Sequence, residues 1–486
     1  MNEKILFWGI VVFLVATLVI GMWAAKQIKG DSENYLVAGR GLILPLAAAT
    51  LMAQSVDSNA TLGNTDLAAE FGFWAGASLP LGLALCLFLT ALFFAKPMNR
   101  MGLITLPDFY RIKYNRLTEF VASLIMVFSF AFLLAGNLVA GGYLFQSFLG
   151  TSYIGGVILI AIVVFIYTAS GGLFAVAYTD FIQVIIAFLG SISLFIFIST
   201  QFNLEIPAGT GPMALSQLTS VDNGAAVNWA TLLALGLGDI VAIDFMARVF
   251  ASESPETAQR ACFIGSLGTV IIGVPFSLIA LTGGEILQQA GLTLTAGQPL
   301  LYEMLEEVVP PALGLLLIAA ILSASLSTAD GAILGTSSVM AHNILGIRHE
   351  EHHEGRADTL LLITRVMAFV ITVLGVFFAI KVPETAILLL LAFDLGFAGL
   401  LIPLAGGLYW PKATWVGALA CIILGTSTRL IFFVLMPTCF GIENTLLYIP
   451  NPIFTPEFDG FPTLISPLIG LTAFIICSRV TQKVRI

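Results

Sequence analysis

The chain has 486 residues, of which 58% are hydrophobic and only 10% charged, with a net charge of −9 and a mean hydropathy of +1.00. A soluble globular domain carries about a quarter charged residues, so the composition excludes one and leaves a polytopic membrane protein. The net charge says little about partners and gives no reason to expect a nucleic acid, whereas the lipid bilayer is an obligatory one.

Thirteen apolar stretches of roughly 17 to 30 residues are long enough to span a bilayer, and no segment between them is longer than a loop. One membrane domain, 1–486, fills the chain. The first stretch, Leu6 to Ala25, has a single flanking Lys4 and no small-residue cleavage site after it, which predicts a retained helix in place of a signal peptide. A basic loop through Arg40 leads to Leu42–Phe71, interrupted by QSVDSNATLGNTD from Gln54 to Asp66. A continuous lipid-facing helix does not hold Asp57, Asn59, Asn64 and Asp66, so unwinding near Ser55 to Ser58 is expected, lining a cavity. Phe73–Ala95 returns to the cytoplasm, where a basic segment with Tyr110 and Tyr114 reads as an interfacial anchor.

Phe120–Leu149 carries Asn137 and Gln146, and Tyr153–Ser170 ends at Gly171-Gly172, a sharp turn. The following GGLFAVAYTDFIQ places Asp180 and Gln183 just inside the next helix, and a Pro, Gly, Thr and Asn-containing outer loop covers about 201–228. The span Trp229–Phe250 again breaks the apolar pattern, with Gly236, Gly238, Asp239 and Asp244. Cys262–Thr282 crosses outward. The stretch Ala319–Asn343 then turns from apolar to polar at Ser323, Ser325, Ser327, Thr328 and Asp330. At helical spacing Ala320, Ala324, Ser327, Thr328 and Gly331 share one face, and Ser323, Ser327 and Asp330 an adjoining stripe. Hydroxyls there are oxygen ligands, and an acid at membrane depth marks an ion, proton or substrate path. His349, His352 and His353 follow among acids and read as a solvated loop. Leu360–Ile380 and Ala386–Tyr409 come next, the latter with Asp394, a gate or a packed acid. Val416–Leu435 and Phe461–Cys477 are peripheral, with Arg429 snorkelling or paired to an acid.

Seventeen of the 20 basic residues fall in alternate loops, which predicts an outside N-terminus and a cytoplasmic C-terminus. Four cysteines lie in or at the ends of spans and Cys439 is alone in a loop, so no disulfide framework is implied. The two interrupted helices open two five-helix sets, about 42–199 and 229–410. An odd number of helices makes such sets opposite in topology, the inverted repeat of secondary transporters. Residues 1–41 and 411–486 are then peripheral.

Three blocks, GGLFAVAYTDFIQ (171–183), SASLSTADGAILGTSSV (323–339) and the region around SVDSNA (55–60), resemble the sodium:solute symporter family. Within it, FFAKPMNRMGLITLPDFY, RVFASESPETAQRACF and STADGAILGTSSVMAHNI are similar to the choline transporter branch. The resemblance implies an all-α LeuT-type fold of about 13 transmembrane helices with a five-plus-five inverted repeat, and Na+-driven uptake. It places the conserved sodium site at the carbonyls of Ser55, Ser58 and Ala324 and the hydroxyls of Ser327 and Thr328. A second cation position of some sialic acid transporters falls on Asp180, Asp330 and Gly331, where a second sodium and a titrating proton both fit. The tryptophans of a quaternary-ammonium cage are replaced by Ser55 and Val241. For a solute, Asp57, Asp239 and Asp244 suit an amine or cation, and Gln54, Asn59 and Asn137 a neutral polar group.

The expected function is sodium-coupled import of a small polar organic solute by alternating access, in a plasma membrane, here a bacterial inner membrane given the short loops. The rivals are proton coupling through the intramembrane acids and a transporter-like sensor acting on a separate signalling partner. A channel lacks the usual filter sequences, and no nucleophile, base and oxyanion arrangement points to an enzyme. Oligomeric state is left open.

Overall fold

The structure is a computed structural model that describes residues 3–202, 206–289, 299–348, 358–383, 385–444 and 446–482. His349, His352 and His353 lie outside the described residues, as does the side chain of Asn59.

Among the described residues, ten helices are long and apolar enough to cross a membrane, and a bent pair, Ala225–Val241 with Ile243–Ala251, makes an eleventh. Two of the thirteen predicted stretches are joined into one element, Tyr153–Gln201, kinked at Gly172 (φ 51°, ψ −145°), a conformation that glycine alone adopts freely. A further stretch, Leu42–Phe71, is too interrupted to count by length. It consists of Leu44–Ser55, a π-helical turn at Asn59–Gly63 and Asn64–Phe71. Side-chain caps start several helices: Asn115 accepts from the Thr118 amide, Ser152 from Gly155 and Asp358 from Leu361. Among the described residues the one sheet is a small hairpin, Thr438–Cys439 with Ile442–Glu443.

Burial separates the centre from the periphery. In Pro311–Ile344, 72% of the apolar window is buried against protein, compared with 28% for Ile5–Gln27 and 39% for Phe461–Thr481. The outer helices present Trp8, Val12, Val19, Leu468 and Val480 outward, the apolar belt that hydrocarbon requires. The central helix packs closely because small residues allow it, with a Cβ at Gly190 only 2.9 Å from the Ala320 methyl.

Both predicted breaks are present. The first helix ends where Val56 leaves the helical region (φ −98°, ψ 70°). The second passes through a 3-10 turn at Asp239–Val241 and an extended Ala242 (ψ 125°), bending by 48°. Each break frees backbone groups inside the bundle, which is tolerated only where protein or a cavity receives them. The 206–228 segment is more than a plain exposed loop. It forms a short helix at Ser216–Thr219, and the buried Gln217 side chain reaches the Trp74 amide.

Candidate functional site

A narrow gap lies where the first broken helix meets the central helix and the Tyr153–Gln201 helix, lined by Ala53, Val56, Gln183, Ser323, Ala324 and Ser327. The Ser327 hydroxyl is 3.1 Å from the Ala53 carbonyl, 2.9 Å from that of Ser323 and 3.3 Å from that of Ala324. The Ser323 and Ala324 carbonyls belong to the same helix as Ser327, so the hydroxyl brings its oxygen and the Ala53 carbonyl of the first broken helix together with two carbonyls of its own helix. Next to it the Thr328 hydroxyl is buried without a partner, and both ends of the buried Gln183 amide are unpartnered. An all-oxygen set with spare acceptors fits a hard monovalent cation. At the break the lining residues are Ala53 and Val56. The side chains of Ser55 and Ser58 bond other helices: Ser55 shares a hydrogen bond with Thr269, and Ser58 donates to Asn137 Oδ1 (3.0 Å) beside Ser325 Oγ (2.9 Å).

A second polar centre joins four helices at full burial. The Thr50 hydroxyl donates to Asp180 and accepts from Arg248 Nε at 3.0 Å. Arg248 Nη2 stands 3.5 Å from Asp180 Oδ2 and 3.9 Å from Asp330 Oδ1, and Tyr167 donates to Asp330 Oδ2 at 2.7 Å. The three expected residues Asp180, Asp330 and Gly331 are therefore brought together with the Arg248 guanidinium. Two ionised carboxylates against one guanidinium leave one negative charge, and Asp180 Oδ1, Asp330 Oδ1 and Gln54 Oε1 have no hydrogen-bond partner. Gln54 links the two centres: its amide donates to the Ser327 carbonyl and packs on Gly331, where a Cβ would collide with it.

The remaining expected solute residues separate. Asp239, at the second break, borders another gap with Met126, Ser129, Phe130, Val241 and Phe393, and both its carboxylate oxygens are unpartnered. Asp57 accepts from the Ala60 amide at 2.8 Å and so holds the turn after the first break. Asn137 donates to the Leu133 carbonyl and accepts from Ser58. Asp244 accepts from the Phe245 amide at 2.7 Å, while its own carbonyl receives Arg248 Nη1 at 3.0 Å. Its carboxylate is thus not the partner of Arg248.

At one end of the bundle Asp108 accepts from Arg348 Nη1 (2.7 Å) and Asn343 (3.1 Å) and lies 3.1 Å from His342 Nε2, while Glu119 binds Arg348 and Arg116. Burial alone would push the Asp108 carboxyl up, but the hydrogen bond to His342, the charges of His342 and Arg348 and the Thr105 amide hold it at about 2. Elsewhere the buried Asp394 carboxylate forms an ion pair with Arg429.

Comparison with known proteins gives the arrangement a family. The sequence pattern of the sodium:solute symporter family matches residues 35–425. The sodium/proline symporter 2 of Staphylococcus saprophyticus is 26% identical over 445 residues, 87% of this chain and 85% of that protein. The human high affinity choline transporter 1 is 29% identical over 385 residues, 74% of this chain and 65% of that protein. A Na+-coupled sialic acid symporter in a substrate-bound outward-open state superposes with a TM-score of 0.78 at 18% identity, covering 98% of this chain and 97% of that one. A nucleobase-cation-symport-1 family transporter gives 0.57 at 12% identity, over 92% and 94%. The fold is LeuT-type, the protein is a multi-pass membrane transporter and not an enzyme, and its activity is sodium-coupled solute import. The chain belongs to the sodium:solute symporter family.

Proposed function

We propose that one sodium ion binds at the first break, held by the carbonyls of Ala53, Val56 and Ala324 and the hydroxyls of Ser327 and Thr328. The observation that carries this is the Ser327 hydroxyl within hydrogen-bond distance of three carbonyls, with the unpartnered Thr328 hydroxyl beside it. The cation supplies the positive charge this oxygen set lacks. Val56 leaves the helical region at the first break, so its carbonyl is free of a helical ladder. Relative to the expected ligands, the carbonyl donors at the break move from Ser55 and Ser58 to Ala53 and Val56, because those two border the gap.

A second monovalent cation, Na+ or a proton, sits beside Arg248 and compensates the extra charge of Asp180 and Asp330. The halves 42–199 and 229–410 form the inverted repeat, each opening with a broken helix, and residues 1–41 and 411–486 flank them. The N-terminus is outside, the C-terminus is cytoplasmic and the membrane is a bacterial inner membrane, in line with the distribution of basic residues. The cargo is a small polar organic solute. Each charge carried inward through 100 mV contributes ~2.3 kcal/mol, or roughly 50-fold accumulation of a neutral solute.

The test is the melting temperature of the detergent-purified protein in sodium and in potassium at matched ionic strength, for the wild type and Ser327→Ala/Thr328→Ala. A ligand at 100 times its Kd stabilises by about 2.7 kcal/mol. Sodium should stabilise the wild type alone. Equal stability in both salts would remove this placement.

A further inference from the structure

Among the described residues, Asp239 is the buried acid that has both carboxylate oxygens without a hydrogen-bond partner. The other intramembrane acids are at least half engaged: Asp57 with the Ala60 amide, Asp180 with Thr50, Asp330 with Tyr167 and Asp394 with Arg429. Asp239 is 1% exposed and sits at the bend of the second broken helix, where it borders a gap with room for about one water. No basic side chain lines that gap, and the charges that act on Asp239 are those of two further acids, Asp244 and Asp57. A buried carboxyl in such a place is neutralised either by a proton or by a cation that pairs with it.

A second, separate space has related chemistry. A cavity of about 1060 Å³ opens between the outer halves of the two broken helices, bordered by Leu67 and Phe71 on one and Val227 and Thr231 on the other. Its wall carries Phe440, Phe458 and Phe461 with Asp222 and Glu457, and no lysine or arginine. Aromatic faces and carboxylates together attract organic cations.

We propose that the imported solute is a compact organic cation whose ammonium nitrogen bears N–H groups, and that Asp239 is the group that pairs with it. Two unpartnered acceptors call for hydrogen-bond donors as well as charge. A quaternary ammonium supplies charge alone, and the aromatic rings at this gap, Phe130 and Phe393, do not make a cage. A zwitterion would bring a second carboxylate into a site bordered by acids. The proposal rests on the reading of the chain as a sodium-coupled importer, and the test separates the two.

The melting temperature of the purified full chain is measured with methylammonium, ethanolamine, choline and proline, each in sodium and in potassium buffer, for the wild type and Asp239→Asn. Methylammonium or ethanolamine should add a shift to that of sodium, at least tenfold lower in half-saturating concentration than choline, with none from proline. Asp239→Asn should lose this increment and keep the shift due to sodium. If neither amine adds a shift, if proline or choline is the better ligand, or if Asp239→Asn binds the amine as the wild type does, the proposal is overturned. The wild-type ranking decides the matter even if the variant fails to fold. A wild type stabilised equally by both salts would count against the sodium site, while the ranking in potassium would still decide the solute.

Discussion

Arg248 Nη2 lies 3.9 Å from Asp330 Oδ1, a contact between the inner half of the second broken helix and the centre of the Pro311–Val339 helix, with both side chains fully buried. Asp180, 3.5 Å from the same nitrogen, adds a third helix. The cluster therefore ties the second broken helix to its neighbours by charge, and any cation entering it changes that balance.

Removing Arg248 leaves two buried carboxylates facing each other. Arg248→Gln should lose about 3–5 kcal/mol of stability, the usual cost of breaking a buried pair, seen as a large fall in melting temperature. Asp330→Asn instead removes the surplus charge, so it should fold well. Its sodium dependence of uptake should be hyperbolic where the wild type is sigmoidal. A wild type that is already hyperbolic in sodium but steepens with acidity would assign the surplus charge to a proton.

Gly331 has a role that composition alone does not reveal. A methyl there would collide with the Gln54 amide, whose nitrogen donates to the Ser327 carbonyl. Gly331→Ala should cost about 1–3 kcal/mol by overpacking and weaken sodium binding by displacing Gln54. Gln54→Ala in the same chain should restore stability without restoring sodium affinity, since the space is relieved but the hydrogen bond is not. Thermal melts across a sodium titration of the four proteins distinguish the two effects.

The spans and both breaks were legible because apolar runs and polar interruptions within them are properties of side chains, and Asp180 and Asp330 stood out for the same reason. Arg248 did not, since a single basic residue near the inner end of a span looks like part of the cytoplasmic positive charge. Only the bend at Asp239–Ala242 turns it inward. The backbone at the break was also hidden. Every residue has a carbonyl, so which of Ala53 to Ser58 turns its carbonyl out of the helix depends on the dihedral angles of Val56.

The network around Asp108 gives a pH dependence with a defined sign. Asp108 titrates at about 2 in the folded protein against an ordinary 3.8. A depressed carboxyl contributes stability that is fully present above the ordinary value and is lost as pH falls through the folded one. The contribution is about 2 kcal/mol. In acid unfolding, the wild type should exceed Asp108→Asn by this amount near neutrality. The difference should vanish between about pH 4 and pH 2. A difference that persisted at lower pH would mean that Asp108 acts through shape and not through its charge.

Asp394 and Arg429 offer the complementary case of a buried pair away from the ion path. The pair joins the Thr385–Gly399 helix to Trp415–Leu435, and Thr463 adds a hydrogen bond to Asp394 at 2.9 Å. The first of these helices places Phe393 beside Asp239 and sets Gly396, whose Cβ position is 3.0 Å from Val241, against the second break. Arg429→Met alone strands Asp394 in the bundle and should cost about 3–5 kcal/mol, whereas Asp394→Leu/Arg429→Met should regain most of it, because apolar pairs of similar volume replace buried ion pairs with little loss. If the pair serves only to hold the helix, the double variant should also recover solute uptake, with an unchanged sodium dependence. Recovery of the melting temperature without recovery of uptake would show that the charge itself acts on the Asp239 gap.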